Sequence, residues 1–176
     1  QKILVLCHHN ADPDGVGSSI ALADALRKLG AEAQAGVSEG ISKVSEKILN
    51  ATGREIAVDP PLDADIIVQV DTSSFEHLGD LGEQIKQRKS DLVLIDHHRP
   101  VEEMRQFTKF YLVREESASE SELMVELIRE LGVELTPEIA FLLLAGIISD
   151  TGQFRSAKSS TFDAVNTLVK AGADYS

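Results

Sequence analysis

The sequence is poor in three things: cysteine, basic charge and long apolar runs. Cys7 is its only cysteine, so no internal disulfide can form, and the composition fits a reducing compartment, with the cytoplasm as the default expectation. Lys and Arg number 17 against 29 Asp and Glu, a net charge of −12 that argues against a broad basic grip on nucleic acid. Short substrates are still compatible, because bound divalent metal locally reverses the charge of a carboxylate cluster. The longest apolar runs, Phe141 to Ile148 and Ile66 to Val70, are too short to cross a bilayer, and nothing resembling a signal precedes Ile3. No membrane partner is expected, and there is no internal repeat or low-complexity tract.

What is present suits one α/β domain over residues 1–176, since 176 residues with 43% apolar content are ample for one core and short for two. The start at Gln1 and the end at Tyr175-Ser176, just after a helical pattern, suggest an excerpt of a longer chain. Apolar runs at Ile3–Cys7, Glu32–Val37, Ile66–Val70, Leu92–Ile95 and Phe110–Val113 predict strands. Helical spacing predicts helices at about 15–29, with Leu22, Leu26 and Leu29 on one face, and at 41–49, 81–88, 117–131, 137–149 and 161–170. Asp59-Pro-Pro-Leu-Asp63 reads as a turn, Ser117 with Glu120 as a capping box, and Thr136-Pro137 as a helix start. The alternation predicts a mainly parallel sheet flanked by helices on both faces, with ligand sites at the carboxyl ends of the strands.

Asp and His collect at those ends. His8, Asp12 and Asp14 follow the first strand, Asp71 ends the third, and Asp96-His97-His98 ends the fourth; Asp150 follows a helix and has to bend back to join them. Each residue has a plainer explanation. Asp12-Pro-Asp-Gly15 is an ordinary turn and helix cap, Asp71-Thr-Ser-Ser74 a cap, and Cys7 a packed strand residue; His9 and His77 stay in that group. Adjacent His97 and His98 are harder to explain by packing. Carboxylates crowded together repel, and two divalent ions would offset Asp12, Asp14, Asp71 and Asp150 while neutral His8 and His97 complete the shells. Such mixed nitrogen and oxygen donors favour manganese, with iron, cobalt or zinc next and magnesium behind them.

Four motifs in order, His8-His-Asn-Ala-Asp-Pro-Asp-Gly-Val-Gly-Ser18, Val70-Asp-Thr-Ser73, Asp96-His-His98 and Ser149-Asp-Thr-Gly-Gln-Phe154, resemble those of the DHH phosphoesterase superfamily, which includes RecJ exonucleases. The forms of the second and fourth motifs are most similar to the oligoribonuclease/pAp phosphatase branch, where pAp is adenosine 3′,5′-bisphosphate. The resemblance implies two manganese ions, one on His8, Asp12 and Asp71 and the other on Asp14, Asp71, His97 and Asp150, bridged by Asp71. It further implies that Asp96 orients an imidazole and that His98 faces the scissile phosphate during in-line attack on phosphorus. Expected partners are a short oligonucleotide or small phosphorylated nucleotide as substrate, a second copy in a homodimer, and a separate C-terminal substrate-binding domain that lies outside this chain. Arg99, Arg155 and Lys158 are the nearest basic residues and read mainly as solvated surface. The alternatives are an inorganic pyrophosphatase or exopolyphosphatase, and a non-catalytic nucleotide-binding regulatory domain.

Overall fold

Six apolar or alternating segments form the strands β1 (Lys2–Cys7), β2 (Glu32–Val37), β3 (Ala57–Val58), β4 (Ile66–Val70), β5 (Asp91–Asp96) and β6 (Phe110–Val113) of a computed structural model that describes residues 1–88 and 90–175. They pair side by side and all in parallel, in the order β3-β2-β1-β4-β5-β6. Helices α1 (Pro13–Lys28), α2 (Lys43–Thr52), α3 (Gly79–Lys86), α4 (Glu120–Glu130), α5 (Pro137–Asp150) and α6 (Ser159–Lys170) lie between and after the strands. The expected α/β class, with a parallel sheet carrying helices on both faces, is what the structure has. From β1 the chain winds outward through β2 and β3, then returns to β4 and winds the other way. That reversal leaves a crevice between the carboxyl ends of β1 and β4, where ligands bind in sheets of this kind.

Both faces of the central strands are buried. Ile3, Val5 and Cys7 of β1 enter the larger core with α1, α4, α5 and α6, while Leu4 and Leu6 enter a smaller one with Leu78, Leu81 and Ile85 around α3. Two-sided burial is why these strands read as continuous apolar runs rather than alternating ones. Among the described residues, no helix is long and apolar enough to cross a membrane.

Several boundaries differ from the sequence expectation. Helix α1 starts at Pro13, because the Asp12 side chain caps it by accepting from the N–H groups of Asp14 and Gly15. It ends at Lys28, and Leu29, expected on the core face, is 53% exposed. The core side of α1 is instead much wider than a stripe, taking in Val16, Ile20, Ala21 and Ala23, since the helix is enclosed by the sheet, α4 and α5. Ser117 and Glu120 do not form a capping box. Ser119 caps α4 by accepting from Glu122 N–H, and Glu122 accepts in turn from Ala118 N–H at 3.4 Å. The start of α4 is fixed from outside the helix, as the Glu120 and Ser121 N–H groups donate to Asp14 at 2.7 and 2.8 Å. The two-residue strand β3 is too short to carry a periodic signal and reads as loop.

Close approach of α1 to α5 depends on glycine. A Cβ on Gly17 would stand 2.7 Å from the Leu142 carbonyl oxygen, a backbone atom that cannot swing away. Gly17→Ala is expected to cost about 1–3 kcal/mol through forced separation of the helices. Urea denaturation checks this, and an unchanged midpoint would mean that the helices part freely.

Candidate metal centre

Leu6 of β1 pairs with Gln69 of β4, so the residues just beyond the two strands, His8 and Asp71, leave the sheet at one edge. Val70 of β4 pairs with Ile95 of β5, which sets Asp96 and His97 alongside Asp71. The start of α1 brings Asp12 and Asp14 to the same edge. Asp150 arrives as the last residue of α5, not from the turn after it.

Asp71 stands at the middle. Its Oδ2 is 3.4 Å from His8 Nε2, and its Oδ1 is 3.3 Å from His97 Nε2. His8 Nε2 lies 4.0 Å from Asp12 Oδ1, and His97 Nε2 lies 3.3 Å from Asp150 Oδ2 and 3.8 Å from Asp14 Oδ2. Overlapping donor groups result, His8 with Asp12 and Asp71, Asp14 with His97 and Asp150, and Asp71 with His97 and His98, each with its donor atoms within 4.8 Å of one another. All six residues expected to carry metal are thus in one place.

The donors are also aimed. His8 Nδ1 bonds the His9 carbonyl at 2.8 Å, so it carries the proton and Nε2 is left facing the carboxylates. Asp71 Oδ1 and His97 Nε2 are buried without a hydrogen-bond partner. Buried polar atoms are rarely left so, and a cation shared between them would satisfy both. A mixed set of imidazole and carboxylate donors fits manganese, cobalt or zinc better than magnesium.

Electrostatics report the same crowding. Burial and the Asp71 and Asp150 charges push the Asp14 carboxyl well above the usual carboxylate range, and burial with Asp71 lifts Asp150 to about 6. Burial favours neutral imidazole at His8 and His97, but the close approach and negative charge of Asp71 outweigh it, and both are raised to about 9. Asp71 is itself held below its ordinary value, because the two imidazoles overcome its burial.

Asp96 is fully buried and organises the neighbouring loops. One oxygen accepts from the His97 and His98 N–H groups and bonds His98 Nδ1 at 2.8 Å, while the other accepts from the Ser73 hydroxyl. His98 therefore has its ring anchored through Nδ1 and lines an open cleft of about 540 Å³ beside Asp71. The far part of that cleft is formed by His9, Thr72, Ser74, His77, Arg99 and Val101. His9, expected as a plain loop residue, is tied through its N–H and Nδ1 to the His77 carbonyl, both at 2.8 Å, and His77 Nδ1 is 3.0 Å from the Thr72 hydroxyl. Of the basic residues, Arg99 lines this cleft, whereas Arg155 lines a separate apolar groove and Lys158 donates to the Glu116 carbonyl. Cys7 is the packed strand residue expected, with burial pushing its thiol up to about 12.

Sequence reasoning missed one group altogether. Glu120 is completely buried and both its carboxylate oxygens lack partners. Burial, followed by the charges of Asp71, Asp96 and Asp14, pushes its carboxyl well above the ordinary range. Glutamate in a first helical turn normally faces water, and a single sequence carries no sign that this one does not.

The model of the DHH family, N-terminal domain, matches residues 2–147. The chain belongs to the DHH family. It is 34% identical over 172 residues to an uncharacterised protein of Methanocaldococcus jannaschii, covering 96% of this chain and 51% of the relative. It is 31% identical over 185 residues to a Streptococcus mutans protein named "probable manganese-dependent inorganic pyrophosphatase", covering 98% of this chain and 56% of that protein. The chain thus spans about half the length of these curated relatives. Among solved structures, an exopolyphosphatase-related protein from Bacteroides fragilis superposes with a TM-score of 0.82 at 22% identity, over 98% of this chain and 53% of that one. RecJ from Thermus thermophilus in complex with manganese gives 0.52 at 19% identity, over 97% and 24%. At such identities the two structures bear on the fold alone, and they share this DHH domain's α/β architecture.

Proposed function

We propose that this DHH domain hydrolyses phosphoester bonds in short oligoribonucleotides or small nucleotides such as pAp, using two manganese ions. His8, Asp12 and Asp71 would hold one ion, and Asp14, Asp71, His97 and Asp150 the other. The observation that carries the proposal is the position of Asp71, with one carboxylate oxygen toward His8 and the other toward His97. Such a pair of ions, when bound, lowers the pKa of water and offsets charge that builds on a phosphoryl group.

The chain's own residues supply the rest. His98, its Nδ1 fixed by Asp96, presents its other nitrogen to the cleft, where it can donate to a phosphoryl oxygen. Asp96 keeps that ring oriented and raises its affinity for the proton. The open cleft of about 540 Å³ falls in the range of small-ligand sites and has room for a nucleotide. The pyrophosphatase names among relatives near 30% identity support the second reading, an inorganic pyrophosphatase. In either case the far side of the substrate would be held by a second domain of a longer parent protein, and the acidic balance of this domain suits small substrates better than long nucleic acid.

His98→Ala is expected to lower kcat on a diribonucleotide by about 10²–10³-fold, the usual cost of losing one donor to a developing oxyanion. Manganese content should stay at two ions per chain. An unchanged kcat would contradict the role given to His98 and the substrate orientation that follows from it.

Metal uptake should also release protons. With pKa values of about 9 in the metal-free protein, His8 and His97 are protonated at pH 7.5 and must lose those protons to bind metal. Apparent manganese affinity should therefore rise with pH up to about 9 and fall as pH drops below it. Calorimetric titration in two buffers of different ionisation enthalpy measures the release directly. Equal heats in both buffers would mean that the imidazoles bind metal from the neutral form and are not raised to about 9.

A further inference from the structure

The two-ion reading leaves Glu120 unexplained. Its backbone is fixed by the N–H bond to Asp14, it opens the first turn of α4, and its side chain is enclosed within the protein with both oxygens bare. The charges that act on it come from Asp71, Asp96, Asp14 and Asp150, all negative. One oxygen of Glu120 lies within 4.8 Å of donor atoms on Asp71 and Asp96, and all three residues are buried.

A solvated acidic patch would show none of this. Three buried carboxylates converge, and both oxygens of Glu120 lack any donor. Buried charge without compensation is strongly disfavoured, and two manganese ions would already be matched by Asp12, Asp14, Asp71 and Asp150. Asp96 has partners in Ser73 and His98, but Glu120 has none. In the metal-free protein a proton neutralises Glu120, and a bound cation would take that proton's place.

We propose that Asp71, Asp96 and Glu120 form a third cation site, selective for a hard divalent ion such as magnesium. Unlike the two mixed imidazole and carboxylate sets, this one offers oxygen alone, and oxygen-only donors suit hard ions such as magnesium rather than zinc. The site shares Asp71 with the proposed manganese pair and rests on that reading to this extent. A magnesium ion here would tie Glu120, and with it the start of α4, to Asp71 and Asp96.

The test is a metal count that does not involve turnover. The chain is loaded with two equivalents of manganese, dialysed against millimolar magnesium, and both elements are measured per chain by mass spectrometry. The wild type should hold two manganese and one magnesium. Glu120→Gln, close in shape but neutral, should keep two manganese and lose the magnesium. Glu120→Asp, which retains charge with a shorter reach, should bind magnesium at least tenfold more weakly. Its melting curve, compared with that of the wild type at equal manganese, shows whether the fold survives. Two manganese with no magnesium in the wild type overturns the third site and leaves the manganese pair standing. Magnesium retained by Glu120→Gln also overturns it, and failure to hold manganese at all overturns the underlying pair instead.

Discussion

Asp71→Asn should lower turnover by about 10³-fold or more and reduce bound manganese from two ions to at most one. Asp71 is the one residue assigned to both ions, 3.4 Å from His8 Nε2 through one oxygen and 3.3 Å from His97 Nε2 through the other. The amide keeps the size and removes the negative charge that both ions would share. It should fold. Asp71 has φ +60, a left-handed conformation that asparagine tolerates better than other non-glycine residues, so the variant adds no backbone strain. A circular dichroism spectrum like that of the wild type, together with lost metal and lost activity, is the expected outcome. Activity that survives within tenfold would mean that Asp71 does not bridge anything.

Chelation should have the second largest effect. An ion bound only by the folded state adds about 2.7 kcal/mol when present at 100 times its Kd, and two such ions add about 5 kcal/mol. For a chain of this size, about 2–4 °C of melting temperature follows each kcal/mol, so removing manganese should lower the transition by on the order of 10–20 °C. The cause is visible in the centre. Without cations, Asp14, Asp150 and Glu120 are buried and crowded until their carboxyls hold a proton more tightly than an ordinary carboxylate. A melting temperature indifferent to manganese and chelator would show that the carboxylates repel without binding anything.

The legible part of this protein was the part governed by local rules. β1, β4 and β5 read as buried strands because both their faces are covered, and their carboxyl ends carry His8, Asp71 and His97 directly. A parallel sheet then brings these residues together whatever their separation in sequence. Asp150 was less certain, since a helix end can point anywhere; α5 delivers it because its packing along α1 fixes the direction. Glu120 was illegible for the opposite reason. Its first-turn position predicts a solvated cap, and only the tertiary contact of the α4 start with Asp14 carries it inside. The same contact explains why the expected capping box at Ser117 gives way to Ser119. His9 and His77 also needed the fold, as they meet only through loops that follow β1 and β4.

The central claim is a metal-dependent phosphoesterase acting on small nucleotides, and the most direct measurement is product release with manganese from a diribonucleotide, pAp and pyrophosphate in parallel. Asp71→Asn and a chelated sample serve as blanks. The account predicts mononucleotide from the first and phosphate from the second, both abolished in the blanks, with pyrophosphate cleaved far more slowly. Pyrophosphate cleaved alone, or nucleotide hydrolysis that persists in both blanks, would contradict it.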